Sequence, residues 1–376
     1  MVPARRIALI QAGLGAGGTE KIICLLATHL ARQGQALTVL AIAGRPSESF
    51  YPMPEGVTVR TMEEELGPTA TRSMLRRIAW LRKALREAQA DLAVSFLTKI
   101  NVLTAVACVG LGVRRIASER NNFLVQRMHP LWRLLMPVAL ASADVAVLQT
   151  QASRAALPAW AQRRAIVIYN PAPMACEHAA KLPPPHRLIA VGRLTEQKGF
   201  DVLLRAIDRA RERGCDLSLT IYGEGEERQR LSDMAESLGL SRHVWLAGKT
   251  LRPHGWVEGG GIFVLSSRYE GFANVLVEAM AAGFAVVSTS CDWGPAEIVT
   301  HGRDGLLVPI DDPDRLAEEL IRLWEDDALR ARLAEAALLR AADFSEPHIL
   351  SEWDAAIAQA FRARRHQAGM GLLSRS

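Results

Sequence analysis

The sequence predicts an α/β protein of two doubly wound domains facing a central cleft, on three observations. The chain has 376 residues, too many for one ordinary core and suited to two domains of about 180 residues each. Short apolar runs alternate with helix-period stretches from end to end, the pattern of parallel strands joined by helical crossovers. Near the middle, Asn170-Pro171-Ala172-Pro173 and Leu182-Pro183-Pro184-Pro185 bracket a stretch without periodicity, which reads as a linker.

In order, the first series reads as a strand over 7–10, a helix over 19–33 and a strand over 37–43. A helix over 73–89 and strands over 92–96, 113–117, 145–148 and 166–169 follow. After the linker come a strand over 187–191, a helix over 200–213, a strand over 217–222 and a helix over 226–238. Strands over 244–247 and 262–265, a helix over 274–282 and strands over 286–289 and 305–308 continue the series. Helices over 314–326 and 327–342 precede a tail helix near 349–362. The expected boundaries are therefore a first domain at 1–170, a linker at 171–186, a second domain at 187–345 and a tail at 346–376.

Composition excludes several classes. Apolar residues make up 49% and charged residues 23%, which is globular rather than disordered or fibrous. The apolar runs near 102–113 and 134–148 are too short or too polar to span a bilayer, which takes roughly 20 apolar residues. The apolar stretch after Arg5 and Arg6 is too short for a signal-peptide core. Five scattered cysteines without a CxxC point to a reducing compartment, with neither a disulfide framework nor a zinc site. Residues 1–180 hold 21 Lys and Arg against 11 Asp and Glu, while the remainder holds 24 against 29. The basic front half suits an anionic partner. A nucleic acid is disfavoured, because the four Tyr and nine Phe are too dispersed to form stacking platforms.

Several segments can carry chemistry. Gly13, Gly15 and Gly18 satisfy GxGxxG between a strand and a helix, where free amides and a dipole end favour an anion. Three readings stand: an anion or substrate loop, an NADP site, or a plain turn. The strand that should supply a ribose-binding acid ends instead at Gly44-Arg45. Arg193 and Lys198 stand five apart between a strand and a helix, as a departing diphosphate requires, though two solvated cations would look the same. Gly223 and Gly248 close strands and would admit a ring or a ribose, or simply turn the chain. Glu270 and Glu278 frame a helix start. If helical throughout, they face one side about 12 Å apart, matched to hydroxyl groups at either end of a diphosphate. A favourable early Glu and a solvated one would read alike. Gly271 and Phe272 would offer amides there, with Asn274 beside them. Asp312-Pro313-Asp314 fits a metal-binding D-x-D but reads as a helix cap.

Together these residues resemble the retaining GT-B glycosyltransferases of glycosyltransferase family 4, the group 1 glycosyl transferases. The resemblance covers nearly the whole chain. It rests on Gly17-Gly18-Thr19-Glu20, on Gly192-Arg193 with Lys198-Gly199, and on the E-x7-E pair Glu270 and Glu278. Gly294-Pro295-Ala296-Glu297-Ile298 and Gly302 through Pro309 complete the series. It implies two Rossmann-like domains, the first binding acceptor and the second a nucleotide sugar, with the tail packing back toward the first.

It also implies site roles. Arg193 and Lys198 would neutralise the donor diphosphate, Glu270 would meet the donor sugar, and Glu278 would hold the ribose. Gly17 and Gly18 would lie against the donor phosphate and sugar, and Gly223 and Gly248 would border the base. Many members carry a histidine after the fourth front strand, where this chain reads Ser118-Glu119-Arg120-Asn121-Asn122. Asn121 is the substitute beside the reacting carbon. The implied donor is a UDP-sugar, without a metal or other cofactor. The implied product is a hexosyl or N-acetylhexosaminyl glycan on a polyprenyl-diphosphate or glycan acceptor. Front-side attack fits, since no strand-end carboxylate is placed as a nucleophile. The alternatives are an NADP-dependent oxidoreductase using the Gly13–Gly18 loop and a non-catalytic nucleotide-sugar-binding protein. The basic amphipathic stretch 73–89, with Arg72, Arg76, Arg77, Arg82, Lys83 and Arg86 beside Trp80, Leu81 and Leu85, is expected to lie on anionic lipid. That would place the protein on the inner face of the cytoplasmic membrane.

Overall fold

The computed structural model describes residues 4–15, 17–126, 128–172, 186–250 and 254–362. Most of the expected linker, and the tail beyond Arg362, lie outside the described residues. The fold separates into two compact units: the chain up to Asn170 together with the chain from Ile349, and Pro171–His348.

The first unit holds strands β1 (Arg6–Gln11), β2 (Ala36–Ala41), β3 (Thr58–Thr61), β4 (Leu92–Phe96), β5 (Arg114–Ser118), β6 (Val145–Leu148) and β7 (Ala165–Val167). They form one sheet in the order β3-β2-β1-β4-β5-β6-β7, and each pairing is parallel. Its helices are α1 (Gly18–Arg32), α2 (Met62–Leu66), α3 (Met74–Glu87), α4 (Thr98–Ala107), α5 (Pro130–Ala141), α6 (Gln151–Ala155) and α7 (Ala159–Gln162).

Side chains alternate across a strand, and β1 shows the two layers this produces. Ile7 and Leu9 pack with Ile22, Ile23 and Leu26 of α1, whereas Ala8 and Ile10 pack with Trp80, Leu81 and Leu85 of α3. Burial on both faces explains why the strands read as continuous apolar runs. It also corrects the expectation for the stretch 73–89: Trp80, Leu81, Ala84 and Leu85 are spent on covering the sheet. Within this stretch only Met74 and Leu75, at the start of α3, put large apolar side chains in solvent.

The second unit holds β8 (Arg187–Val191), β9 (Ser218–Tyr222), β10 (Val244–Gly248), β11 (Ile262–Leu265), β12 (Ala285–Thr289) and β13 (Leu306–Val308). Their order is β10-β9-β8-β11-β12-β13, again all parallel. The helices are α8 (Phe200–Glu212), α9 (Arg228–Ser237), α10 (Asn274–Ala281), α11 (Pro295–Ile298), α12 (Pro313–Glu325) and α13 (Asp327–Ala341). On α8, Leu203, Ala206, Ile207 and Ala210 recur at helical spacing and cover Leu188, Leu219 and Val264. Asp312 caps α12 by accepting the Arg315 amide at 3.0 Å, which accounts for the D-x-D sequence.

The last helix, α14 (Glu346–Arg362), runs into the first unit. Ile349, Trp353 and Ile357 join the layer of α1, with Trp353 fully buried 5.9 Å from the Phe96 ring.

Candidate active site

Each sheet reverses its strand order once, between β1 and β4 and between β8 and β11. Ligands of open α/β sheets sit beyond the carboxyl ends of the strands at such a reversal. In the second unit, the loops there are Gly192–Gly199 after β8 and Ser266–Ala273 after β11.

These loops interlock. Gly199 adopts φ +60°, and a β-carbon there would run into the Ser266 carbonyl. Ser266 Oγ donates to Lys198 O at 2.8 Å, and Arg268 N donates to Gln197 O at 2.8 Å. The Arg268 guanidinium grips Asp201 through two bonds, at 3.0 and 2.9 Å, and reaches Asp311 at 2.7 Å. Burial pushes the Asp201 carboxyl up. The hydrogen bonds and charge of Arg268, helped by Arg205 and Arg230, overcome this and hold it below its ordinary value.

On this frame Lys198 Nζ donates to Glu270 Oε1 at 2.7 Å, with side chains only 12% and 7% exposed. Ser267 Oγ donates to the same oxygen at 2.6 Å. A buried pair of opposite charge costs desolvation, yet it stands where a ligand is expected. Beneath it the Cys291 thiol is pushed up to about 12, first by burial and then by Glu270, so it stays a thiol.

Arg193 is exposed on the β8 loop. Gly223 has φ +152°, and a β-carbon there would strike the Gly192 carbonyl. Its amide donates to Gly248 O at 2.8 Å. Gly248 itself lies at φ +76°, so both positions favour glycine through the backbone, which brings the β8, β9 and β10 edges together. Gly271 is half-buried, and Phe272 is buried against Phe344 at 6.1 Å.

The expected helix is present, with α10 beginning at Asn274, so Glu270 lies before it and the pair is not joined by continuous helix. Ala273 (φ −80°, ψ 71°) turns the backbone out of the helix, and the Glu270 amide points to Asp292 O at 3.5 Å. The helical-rise estimate therefore does not apply to this pair. Glu278 lies within α10, with His254 Nδ1 at 3.6 Å.

In the first unit, the loops after β1, β2, β4 and β5 surround a cavity of about 300 Å³, with Thr71, Arg77, Leu97, Thr98, Lys99 and Asn121 among its lining. Leu97 lies at φ +75°, a strained conformation for a non-glycine residue, and it starts α4 with Thr98. Thr98 Oγ1 donates to Glu119 Oε2 at 2.7 Å. Glu119 Oε1 accepts the amides of Arg120 at 3.0 Å and Asn121 at 3.3 Å. Glu119 therefore fixes two cavity residues, Thr98 and Asn121. Burial pushes its carboxyl up to about 7, against those hydrogen bonds and the Arg120 charge. Burial also pulls Arg120 down to about 9, and its Nη2 has no hydrogen-bond partner among the described residues.

Gly17 and Gly18 stand exposed at the start of α1. With φ −79° and only the flexible Glu20 side chain in the way of a β-carbon, nothing in the backbone requires glycine at 17. Sequence reasoning gave no individual role to Glu119, Thr98, Asp201, Arg268 or His254. For Glu119 a signal existed: a carboxylate directly after an apolar strand, at its carboxyl end.

The family model for Glycosyl transferases group 1 matches residues 185–326, and that for Glycosyltransferase Family 4 matches 16–174. The chain belongs to the family 4, group 1 glycosyltransferases. It is an enzyme that transfers a glycosyl group, and its two parallel-sheet units have the GT-B fold.

Among its relatives is a Campylobacter jejuni protein named for α-1,4-N-acetyl-D-galactosaminyl transfer to a GalNAc-containing undecaprenyl-diphosphate glycan. It is 28% identical over 94% of this chain and 98% of its own. The amylovoran biosynthesis glycosyltransferase AmsD of Erwinia amylovora is 24% identical over 92% of this chain and 97% of its own. The crystal structure of Anabaena HepE with UDP and glucose superposes with a TM-score of 0.78 at 20% identity, covering 94% of this chain and 99% of that one; that likeness speaks for the fold. Membership of this family sets aside the oxidoreductase and the non-catalytic binding readings.

Proposed function

We propose that this glycosyltransferase moves a hexose or N-acetylhexosamine, with retention of configuration, from a UDP-sugar to a glycan or polyprenyl-diphosphate-linked acceptor. The observation that carries the reading is the Lys198–Glu270 pair at the β8/β11 reversal. A nucleotide diphosphate sugar matches the chemistry of that pair: a diphosphate for the ammonium and hydroxyls for the carboxylate. On binding, Lys198 exchanges part of its bond to Glu270 for phosphate oxygens, and exposed Arg193 adds a second cation. Glu270 then accepts from sugar hydroxyls, with the Gly271 and Phe272 segment and Asn274 beside it. Glu278 takes the ribose diol, and the turn at Gly223 and Gly248 borders the base. Gly17 and Gly18 leave the start of α1 bare for an anionic group of the substrate.

In the reaction the acceptor oxygen bonds to the anomeric carbon as the bond to the β-phosphate oxygen breaks. The acceptor proton passes to that departing phosphate. The protein supplies position and positive charge, and no metal is assigned a role. The cavity of the first unit takes the acceptor, with Asn121 and Thr98 as its polar contacts. The names of the Campylobacter and Erwinia relatives support a surface or lipid-linked glycan as acceptor. No helix among the described residues is long and apolar enough to cross a membrane. With a lipid-linked acceptor, we place the enzyme on the inner face of the cytoplasmic membrane, held there peripherally.

The test is a donor panel of UDP- and GDP-sugars against membrane-extracted lipid-linked acceptor, with and without EDTA, and the anomeric configuration of the product read by NMR. Transfer from a UDP-sugar with an α-linked product in EDTA is expected. An inverted product or strict GDP dependence would sink the reading.

A further inference from the structure

With the apolar face of α3 committed to the core, the exposed apolar surface of the first unit lies elsewhere. Helix α5 buries Met136, Ala139 and Leu140 and turns Leu131, Leu134 and Val138 to solvent, at 42%, 69% and 51% exposure. Residues spaced three and four apart share one stripe of a helix. The preceding segment exposes Leu124 and Val125 as well, and it is tied to α5 by Arg133, whose Nη2 donates to Leu124 O and Gln126 O at 3.3 Å each.

The charge around this stripe is one-sided. Residues 67–143, which contain α3, α4 and α5, hold 12 Lys and Arg against three acids. Of the acids, Glu119 is buried, Asp91 is bound to Arg6 at 3.1 Å, and Glu87 is bound to Arg60 at 3.0 Å. From Arg120 to Ala143 there is no acid at all. The three helices pack side by side, α3 on α4 and α4 on α5. Arg72, Arg76, Lys83 and Arg86 are exposed on or beside α3, and Lys99 on α4. An apolar stripe within an acid-poor, cation-rich surface matches an anionic bilayer, where the apolar groups enter the acyl boundary and the cations meet headgroups.

We propose that the outer stripe of α5, Leu131, Leu134 and Val138 with the adjoining Leu124 and Val125, docks this enzyme on an anionic lipid surface, and that α3 contributes charge rather than insertion. This deepens the reading of a lipid-linked acceptor and rests on it.

The test is flotation of the full chain with vesicles of phosphatidylcholine alone or mixed with phosphatidylglycerol, without donor or acceptor. The wild type is expected to float with the mixed vesicles, and raised salt is expected to weaken it. Leu131→Ser with Leu134→Ser is expected to lower the bound fraction about tenfold or more, while the thermal midpoint and UDP-sugar hydrolysis stay unchanged. Met74→Ser with Leu75→Ser is expected to change binding far less.

Absence of wild-type binding, or loss of binding only in the Met74/Leu75 variant, overturns the proposal and leaves the transfer reaction intact. A concentration-dependent dimer that Leu134→Glu dissociates, without vesicle binding, also overturns it and assigns the stripe to a second copy. Should the variant itself be unstable, Val138→Ser and Leu134→Gln singly provide the same comparison. Failure of the donor panel, by contrast, would remove the transfer reading without touching flotation.

Discussion

At the carboxyl edge of the first sheet, Glu119 is buried on bonds from one hydroxyl and two amides, and the guanidinium of neighbouring Arg120 bonds elsewhere. At the carboxyl edge of the second, Glu270 meets Lys198 directly at 2.7 Å, on loops clamped by Arg268 and Asp201. The two units share a fold topology but handle a buried carboxylate in opposite ways. Glu270 is bonded directly to a lysine ammonium and a serine hydroxyl. Glu119 is bonded to a hydroxyl and two amides, and burial pushes its carboxyl up to about 7 against those bonds and the Arg120 charge. The paired edge suits a ligand whose charge changes during reaction. The unpaired edge suits a neutral, hydroxyl-rich ligand that is only positioned.

Breaking the paired edge has the largest expected effect. Lys198→Ala removes a cation and leaves Glu270 facing the same phosphate, so turnover measured by UDP release is expected to fall by ~10²–10³. Near-normal turnover would remove Lys198 from the chemistry. Next comes Arg268→Lys, which loses the two-pronged grip on Asp201 and loosens both loops. The expected result is a rise in donor KM of roughly tenfold with a smaller change in kcat. A fall in kcat alone would argue that the clamp holds the reacting groups rather than the donor.

The smallest effect sharpens the unpaired edge. The Glu119 carboxyl is raised from 4.5 to about 7 in the folded chain. Between those values the native state binds a proton that the unfolded chain has released, so stability falls as pH rises from about 4.5 to about 7. Glu119→Gln carries no such proton. Its denaturation midpoint is expected to drop less than that of the wild type between pH 5 and pH 8. Its acceptor KM should also lose any pH dependence near 7. Parallel stability curves for the two proteins would show that Glu119 does not titrate there.

Legibility in the sequence followed the range of the interaction. Strands buried on both faces announce themselves as apolar runs, so β4, β8 and β11 fall at the expected residues. Helix α4 was not legible: seven of its ten residues are buried, and such a helix has no polar face to produce a period. The edge strand β3 is short and carries Arg60, which hides it. Within the candidate site, Arg193, Lys198, Glu270 and Glu278 draw attention in the sequence because each stands in a short motif. Thr98 with Glu119, 21 residues apart, and Asp201 with Arg268, 67 apart, are brought together only by the crossovers, and no local spacing encodes them. The stretch 73–89 was legible as a helix, but which surface its apolar face covers is decided by the sheet beneath it.

The position of α14 has a consequence for biosynthesis. Because Ile349, Trp353 and Ile357 complete the layer over β1 and β4, the portion translated first cannot close its interior until these residues have also been made. Pro171–His348, unbroken along the chain, is free to mature ahead of it. A chain that stops before Ile349 would therefore carry an open hydrophobic trench beside Phe96, a natural target for chaperones and proteases.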